Sequence, residues 1–386
     1  MDIQPYTIDI DDNAIDDLRL RLARTRWQDE MPASGWSNGT DLAYLRQLVE
    51  YWLDGFDWRA QEARLNRLSH YQAMIDGKRI HFVHARGEGN KPLPLIMTHG
   101  WPGSFLEMEK ILPRLTHPGR FGGAQEDAFD VVIPSVPGFG FSAHPTVGGM
   151  NGRRVADLWA ALMHGLGYAR YGAQGGDIGA GISTWLGYYH PHSVAGVHLN
   201  FIPGNFAPDP GAHPLTVAET SFLEKRARWL EEEGGYSHLQ STRPQTLAYG
   251  LNDSPVGLAA WMLEKYRAWS DCGGNVEVSF TKDELLTQIS LYWFTQTIGS
   301  SIRYYREGRT NPLSFHGLKP MAVPTAVAVF PRELPMPPRE YAARFYDIRR
   351  WTEFDRGGHF AAHEAPDLLA ADMRAFFRPL RANHAD

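Results

Sequence analysis

Apolar positions in the first ninety or so residues follow a helical period and then an alternating one. Ile15, Leu18 and Leu22 fall on one face of a helix that Asp11 or Asp12 can cap, while Arg19, Arg21 and Arg24 read as a solvated face. Leu42, Leu45, Val49 and Trp52 predict a second helix, capped by Thr40 or Asp41 and stopped at Gly55. The pattern then alternates from Tyr71 to Ile75, turns at Asp76-Gly77 and alternates again from Arg79 to His84, which predicts a β-hairpin. From Pro94 onward the chain shows short apolar runs bounded by turn residues: Pro94 to Thr98, Phe129 to Pro134, Tyr168 to Gln174, Val194 to Asn200 and Pro324 to Phe330. Runs of this kind, separated by helices, suit an α/β fold with a parallel sheet covered on both faces. Between Gly204 and about Lys319 the strand signal gives way to helices rich in aromatic residues, such as Trp261 to Trp269, and this insertion reads as a helical lid. The expected organisation is an N-terminal extension over 1–92, wrapped on the outside, and a core in two parts, 93–203 and 320–386, with the lid over 204–319.

Composition narrows the class without changing this picture. A chain of 386 residues with 43% hydrophobic residues and twelve tryptophans has material for one large core with additions, or for two domains. No apolar run reaches the length of a membrane span, and Met1 to Pro5 has neither the basic start nor the apolar stretch of a signal peptide, so a cytoplasmic protein is expected. A net charge of −6 argues against a nucleic-acid footprint or a polybasic membrane patch. The single cysteine, Cys272, rules out an internal disulfide, and Gly273-Gly274 after it marks a loop residue rather than a nucleophile.

The chemistry concentrates where strands end, because ligands of open α/β sheets bind at the carboxyl ends of the strands. Tyr171 to Gly181 reads as a strand that ends in glycines and turns at once into a helix, with Asp177 at the tip of the turn. A plain Asp-Gly loop is the simpler reading, but the spacing is that of a nucleophile elbow carrying aspartate in place of serine. The strand ending at Thr98 runs into His99-Gly100-Trp101-Pro102-Gly103-Ser104, a tight turn able to aim the Trp101 backbone N–H into the site. With the N–H of Ile178 it would form an oxyanion hole, and the His99 side chain is expected to brace the turn. His359, on a Gly-Gly loop ahead of a helix from Pro366 to Phe377, is placed to act as a general base, and Glu333, just after Val329-Phe330, can hold its tautomer. His359 and His363 stand at i, i+4 spacing, but the order HExxH is absent and the loop glycines oppose a helix there, so no metal is expected. His81 and His84 fall on opposite faces of a strand and read as ordinary strand residues. The order Asp177, Glu333, His359 is that of the α/β-hydrolase fold. An aspartate nucleophile can displace a leaving group at an sp³ carbon to form an alkyl-enzyme ester, which His359 could hydrolyse by activating water. The leaving group would be a halide or the oxygen of a strained epoxide, and the latter needs a proton donor such as a tyrosine phenol.

At this point the chain resembles the epoxide hydrolases of the microsomal type. The likeness runs through Arg24-Thr25-Arg26-Trp27, HGWPGSF from His99, VPGFGFS from Val136, GGDIG from Gly175, LNDSPVGLAAW from Leu251 and GGHFAA from Gly357. The resemblance implies Asp177 as nucleophile, His359 as base, Glu333 as its acid partner and two lid tyrosines that open the ring. These match Tyr236, in Gly234-Gly235-Tyr236-Ser237-His238, and Tyr305, which the Tyr-Arg-Glu context selects over its neighbour Tyr304. Many relatives carry tryptophan where this chain has Ile178, which removes an indole from the pocket wall. Microsomal relatives also have an N-terminal membrane anchor, and this chain is expected to lack one. The resemblance implies no cofactor, an epoxide and water as reactants, and leaves a homodimer open. The rival readings are a haloalkane dehalogenase, with Trp or Asn donors for halide, and a non-catalytic ligand receptor on the same scaffold.

Overall fold

The structure is a computed structural model and describes residues 1–203, 214–312 and 318–381. The boundary expected at Gly204 and the end of the second core part therefore lie outside the described residues.

Among the described residues nine strands form one sheet in the order β1-β2-β3-β5-β4-β6-β7-β8-β9. They are β1 Ile3–Pro5, β2 His70–Ile75, β3 Lys78–Ala85, β4 Leu93–Thr98, β5 Phe129–Pro134, β6 Tyr171–Gly175, β7 Val194–Leu199, β8 Met321–Val329 and β9 Tyr346–Glu353. The pairs from β5 through β9 are parallel, whereas β1, β2 and β3 add an antiparallel edge that joins at β5. The N-terminal segment thus contributes strands to the sheet besides its helices. Its hairpin turns at Asp76 and Gly77, both with positive φ, as a tight two-residue connection requires.

Every residue of β5, β6 and β7 is buried, which is why these strands read as continuous apolar runs. Successive residues of a strand point to opposite faces, so two adjacent positions on β7 show both covering layers. A Cβ built on Gly187 of the helix Asp177–Tyr189 would lie 3.1 Å from Val197, while one on Gly196 would lie 3.1 Å from Phe376 of the helix Pro366–Phe377. Short elements escape the hydrophobic pattern, β1 and the helix Trp58–Leu65 among them. β1 has three residues and only one that is not exposed, and the helix Trp58–Leu65 is too short for its period to show.

Among the described residues six α-helices stand between β7 and β8: Val217–Glu232, Gly235–Thr242, Pro244–Asp253, Pro255–Trp269, Lys282–Thr295 and Ile298–Thr310. Lys282–Thr295 is buried continuously from Leu285 to Trp293 and reaches the turn after β4. There the Tyr292 hydroxyl donates to the Gly103 carbonyl at 2.8 Å, Gln288 Nε2 donates to the Pro102 carbonyl at 3.2 Å, and Ser104 donates to Gln288 Oε1 at 2.7 Å. The N-terminal helices Asp12–Ala23 and Leu42–Asp54, capped by Asp11 and Asp41 as their sequences predict, clasp this helical block from outside. Arg21 pairs with Asp253 at 2.8 Å, Thr40 donates to the Ala260 carbonyl at 2.7 Å, and buried Trp52 donates to Ser290 at 3.2 Å.

This clasp can be measured. Trp52→Ala empties a packed site and should cost about 3 to 5 kcal/mol, whereas Ser290→Ala only strands the indole N–H and should cost about 1 to 3 kcal/mol. Urea unfolding checks both values, and a Trp52→Ala loss below that of Ser290→Ala would mean the contact contributes little.

Candidate active site

β6 ends at Gly175, and after Gly176 the chain enters the helix Asp177–Tyr189 with Asp177 at φ 46°. The left-handed region disfavours a side chain with Cβ by about 1 to 2 kcal/mol, so surrounding contacts must hold Asp177 there. One such contact is the approach of the helix to β4. A Cβ on Gly179 would lie 1.9 Å from the Thr98 carbonyl oxygen, so only glycine lets the first helical turn press against the end of β4. The Asp177 carboxylate is thereby held over the C-terminal ends of β4 and β6. Its Oδ1 accepts the Trp101 N–H at 2.9 Å, across a turn whose Trp101-Pro102 peptide is cis. Ile178 is the second residue of the helix, where N–H groups have no intrahelical acceptor. Buried His99 braces the turn, accepting the Val136 N–H on Nε2 at 3.2 Å, and burial lowers its pKa to about 4.

The loops after β8 and β9 meet through a bridge between Arg332 and Gly358. That contact brings Glu333 beside His359. The His359 Nδ1–H donates to Glu333 Oε1 at 2.5 Å, which turns Nε2 toward Asp177 Oδ2 at 3.7 Å. The Leu334 N–H also donates to Glu333 Oε1, at 2.7 Å, and the His359 N–H donates to the Trp269 carbonyl at 2.9 Å. Burial pulls the imidazole pKa down, but Glu333 beside it, then Asp177 and Glu107, more than offset this and hold it up at about 9. The histidine is therefore charged at neutral pH, facing the Asp177 carboxyl.

Tyr236, on Gly235–Thr242, and Tyr305, on Ile298–Thr310, face the same place from the helical block. Their rings lie 5.9 Å apart, Tyr236 stacks on Trp101 at 5.5 Å, and Tyr305 meets Trp101 edge-on at 5.9 Å. Both phenols are pushed up, Tyr236 by burial and then by Asp177, and Tyr305 by burial and then by Tyr236 and Asp177, so both keep their protons. With Asp177 and Ile178 they line a cavity of about 510 Å³ whose other walls include Trp185, Phe201 and Trp229. Tyr304 also lines it, but its hydroxyl lies 2.9 Å from where a Cβ of Gly152 would sit, on another wall.

Three nearby residues carry no motif that marks them in the sequence. Trp269 packs edge-on against His359 at 5.1 Å and supplies the carbonyl that anchors it. Buried Lys265 sets its Nζ 4.9 Å from the Tyr236 ring centre and pairs with Glu264 at 2.7 Å. Glu107 is the third, and its one signal is a charge inside the apolar run Phe105-Leu106-Glu107-Met108. His363 sits apart, with Nε2 2.8 Å from Lys110 Nζ.

A largely parallel sheet with a carboxylate on a strand-to-helix elbow after β6, an acid after β8 and a histidine after β9 defines the α/β-hydrolase class. Residues 94–256 match the family model of the alpha/beta hydrolase fold, and residues 3–108 match that of the epoxide hydrolase N terminus. A relative from Stigmatella aurantiaca (strain DW4/3-1) is 46% identical over 98% of this chain and 86% of its own length. Epoxide hydrolase 1 of Sus scrofa is 38% identical over 97% of this chain and 88% of its own. The solved Aspergillus niger epoxide hydrolase superposes with a TM-score of 0.86 at 31% identity, covering 98% of this chain and 97% of that one. The chain belongs to the epoxide hydrolase family. Among the described residues no helix is long and apolar enough to cross a membrane.

The histidine makes a stability prediction. Its folded pKa stands above the ordinary 6.5, so its contribution to stability is complete below pH 6.5 and is lost as the pH rises through about 9. The stability difference between wild type and His359→Gln should shrink across that window in denaturation experiments, and a difference independent of pH would contradict the charge assignment.

Proposed function

We propose that this epoxide hydrolase converts an epoxide and water to a vicinal diol through an alkyl ester on Asp177. The observation that carries the reading is the Asp177 carboxylate, with one oxygen held by Trp101 N–H and the other facing His359 Nε2, below two protonated phenols in one cavity. Oδ2 is the oxygen free to attack carbon. The epoxide C–O bond breaks, its electron pair goes to the epoxide oxygen, and that oxygen takes a proton from Tyr236 or Tyr305. Ester formation removes the charge of Asp177 that helped hold the imidazole protonated, so His359 can return its proton to the phenolate. Neutral Nε2 then takes a proton from water as the water oxygen bonds to the Asp177 carboxyl carbon. The N–H groups of Trp101 and Ile178 hold the tetrahedral oxyanion. Collapse breaks the ester bond, the diol oxygen is protonated by the imidazolium, and ionisation of the restored carboxyl returns the proton to His359.

In this scheme the helical block is a lid that carries the proton donors, and the cavity's aromatic walls suit an epoxide with an apolar substituent. A cytoplasmic setting and a monomer or homodimer belong to the same proposal, and gel filtration of the purified protein reads the assembly state. The halide alternative is not favoured by the relatives, and chloride release from haloalkanes would revive it.

His359→Gln should still alkylate itself and stop after about one equivalent of epoxide, because no base remains to activate water. Intact-protein mass spectrometry should show an adduct on Asp177, absent from Asp177→Ala; single-turnover diol that carries solvent label, with none left in the protein, would instead mean direct attack by water.

For the donors, Tyr236→Phe and Tyr305→Phe should each slow turnover, by about 10- to 100-fold, and together nearly abolish it. Unchanged steady-state rates in the double variant would remove both tyrosines from the mechanism.

A further inference from the structure

A second cavity of about 240 Å³ lies behind the turn that follows β4 and shares no lining residue with the substrate cavity. Its wall is mixed: Leu106, Phe280 and Leu285 stand beside charged groups, among them Lys110, whose Nζ sits 2.8 Å from Glu284 Oε1, and Gln288 and Tyr266 close it toward the turn. Space of that size admits several waters, since each takes about 30 Å³ in the liquid and the polar groups of the wall can satisfy them.

Glu107 connects this cavity to the reacting groups. Its neighbours Phe105, Leu106 and Met108 are buried in apolar surroundings, yet its own carboxyl lines the cavity and makes no hydrogen bond to a described residue. The turn after β4 is touched by two carboxyls. A Cβ on Gly100 would lie 2.4 Å from Asp177 Cβ, and one on Gly103 would lie 1.2 Å from Glu107 Oε1. Asp177 and Glu107 thus both lie against this turn, Asp177 at Gly100 and Glu107 at Gly103. The fields of the reacting groups reach it too: burial, then Asp177 and Glu333, raise its pKa to about 8 although His359 opposes them. A carboxyl that is largely protonated at neutrality can both donate to and accept from a water. Once the substrate cavity is filled by the alkyl ester, water needs a route to the Asp177 carboxyl carbon that the alkyl group does not cover.

We propose that Glu107 positions the water that hydrolyses the Asp177 ester, drawn from the second cavity, so that His359 Nε2 and the Glu107 carboxyl hold it from two sides. The assignment rests on the alkyl-ester reading above. It makes Glu107 a contributor to the second half of the reaction alone.

Steady-state kinetics separate the halves, because kcat/KM reports alkylation while kcat reports hydrolysis when the ester accumulates. Glu107→Leu should lower kcat by about 10- to 100-fold, with kcat/KM within about twofold of wild type, and rapid-quench mass spectrometry should show the ester building up on Asp177. Glu107→Gln keeps an acceptor oxygen and should recover most of the loss. Thr287→Met narrows the second cavity without replacing a charged group and should reproduce the fall in kcat, which decides the matter should Glu107→Leu fail to fold. Wild-type kcat in Glu107→Leu or in Thr287→Met, or kcat and kcat/KM falling together, would overturn the proposal. Adduct in His359→Gln but none in Glu107→Leu would sink the water assignment alone, whereas adduct in neither would overturn the ester and the assignment with it.

Discussion

Everything in the site depends on keeping one aspartate in a left-handed backbone conformation at the end of β6. Asp177 can stay there because the helix behind it lies against β4, at a separation that leaves no room for a side chain at Gly179. The approach also brings Trp101 N–H to the carboxylate. Sheet, elbow and donor are therefore one geometric solution, and loosening the β4 contact would release the strain and the hydrogen bond together.

Charge is the second organising quantity. Two carboxylates, on Glu333 and Asp177, face the His359 imidazole, and together they outweigh a burial that would otherwise keep it neutral. Such a cluster has coupled titrations, so neutralising one member shifts the rest. In the proposed mechanism an ester on Asp177 would do this at the moment a neutral imidazole is needed, tying the chemistry of one step to the proton state of the next. The field of the same carboxylate adds to burial in keeping both tyrosine phenols protonated.

The helical block and the N-terminal segment act on this centre through the turn after β4. Tyr292, Gln288 and Tyr266 all donate to backbone carbonyls of Pro102 or Gly103, so the block that carries the two tyrosines also grips the loop that carries the Trp101 donor. The N-terminal helices hold the block from the other side through Trp52 and Arg21. Positions on either side of the cavity are thus referred to one another across three segments distant in sequence.

The parts of the protein written in local pattern are legible in the amino-acid sequence alone. The hairpin at Asp76-Gly77, the helix caps at Asp11 and Asp41 and the run Phe129 to Pro134 follow from periodicity and turn chemistry, which act over a few residues. The elbow at Asp177 and the loop at His359 belong to the same kind, because glycines at fixed offsets announce an unusual backbone. β1 and the helix Trp58–Leu65 are too short to carry a period. Tyr304 and Tyr305 are adjacent and chemically identical, so only the packing of one ring against Trp101 and Tyr236 tells them apart. Glu107 is a charge in an apolar run, and its setting exists only because helices about 150 to 180 residues further along enclose a cavity around it. Backbone conformation is set by neighbours in sequence and can be read there, whereas the burial and fields that tune a side chain come from residues that only folding brings near.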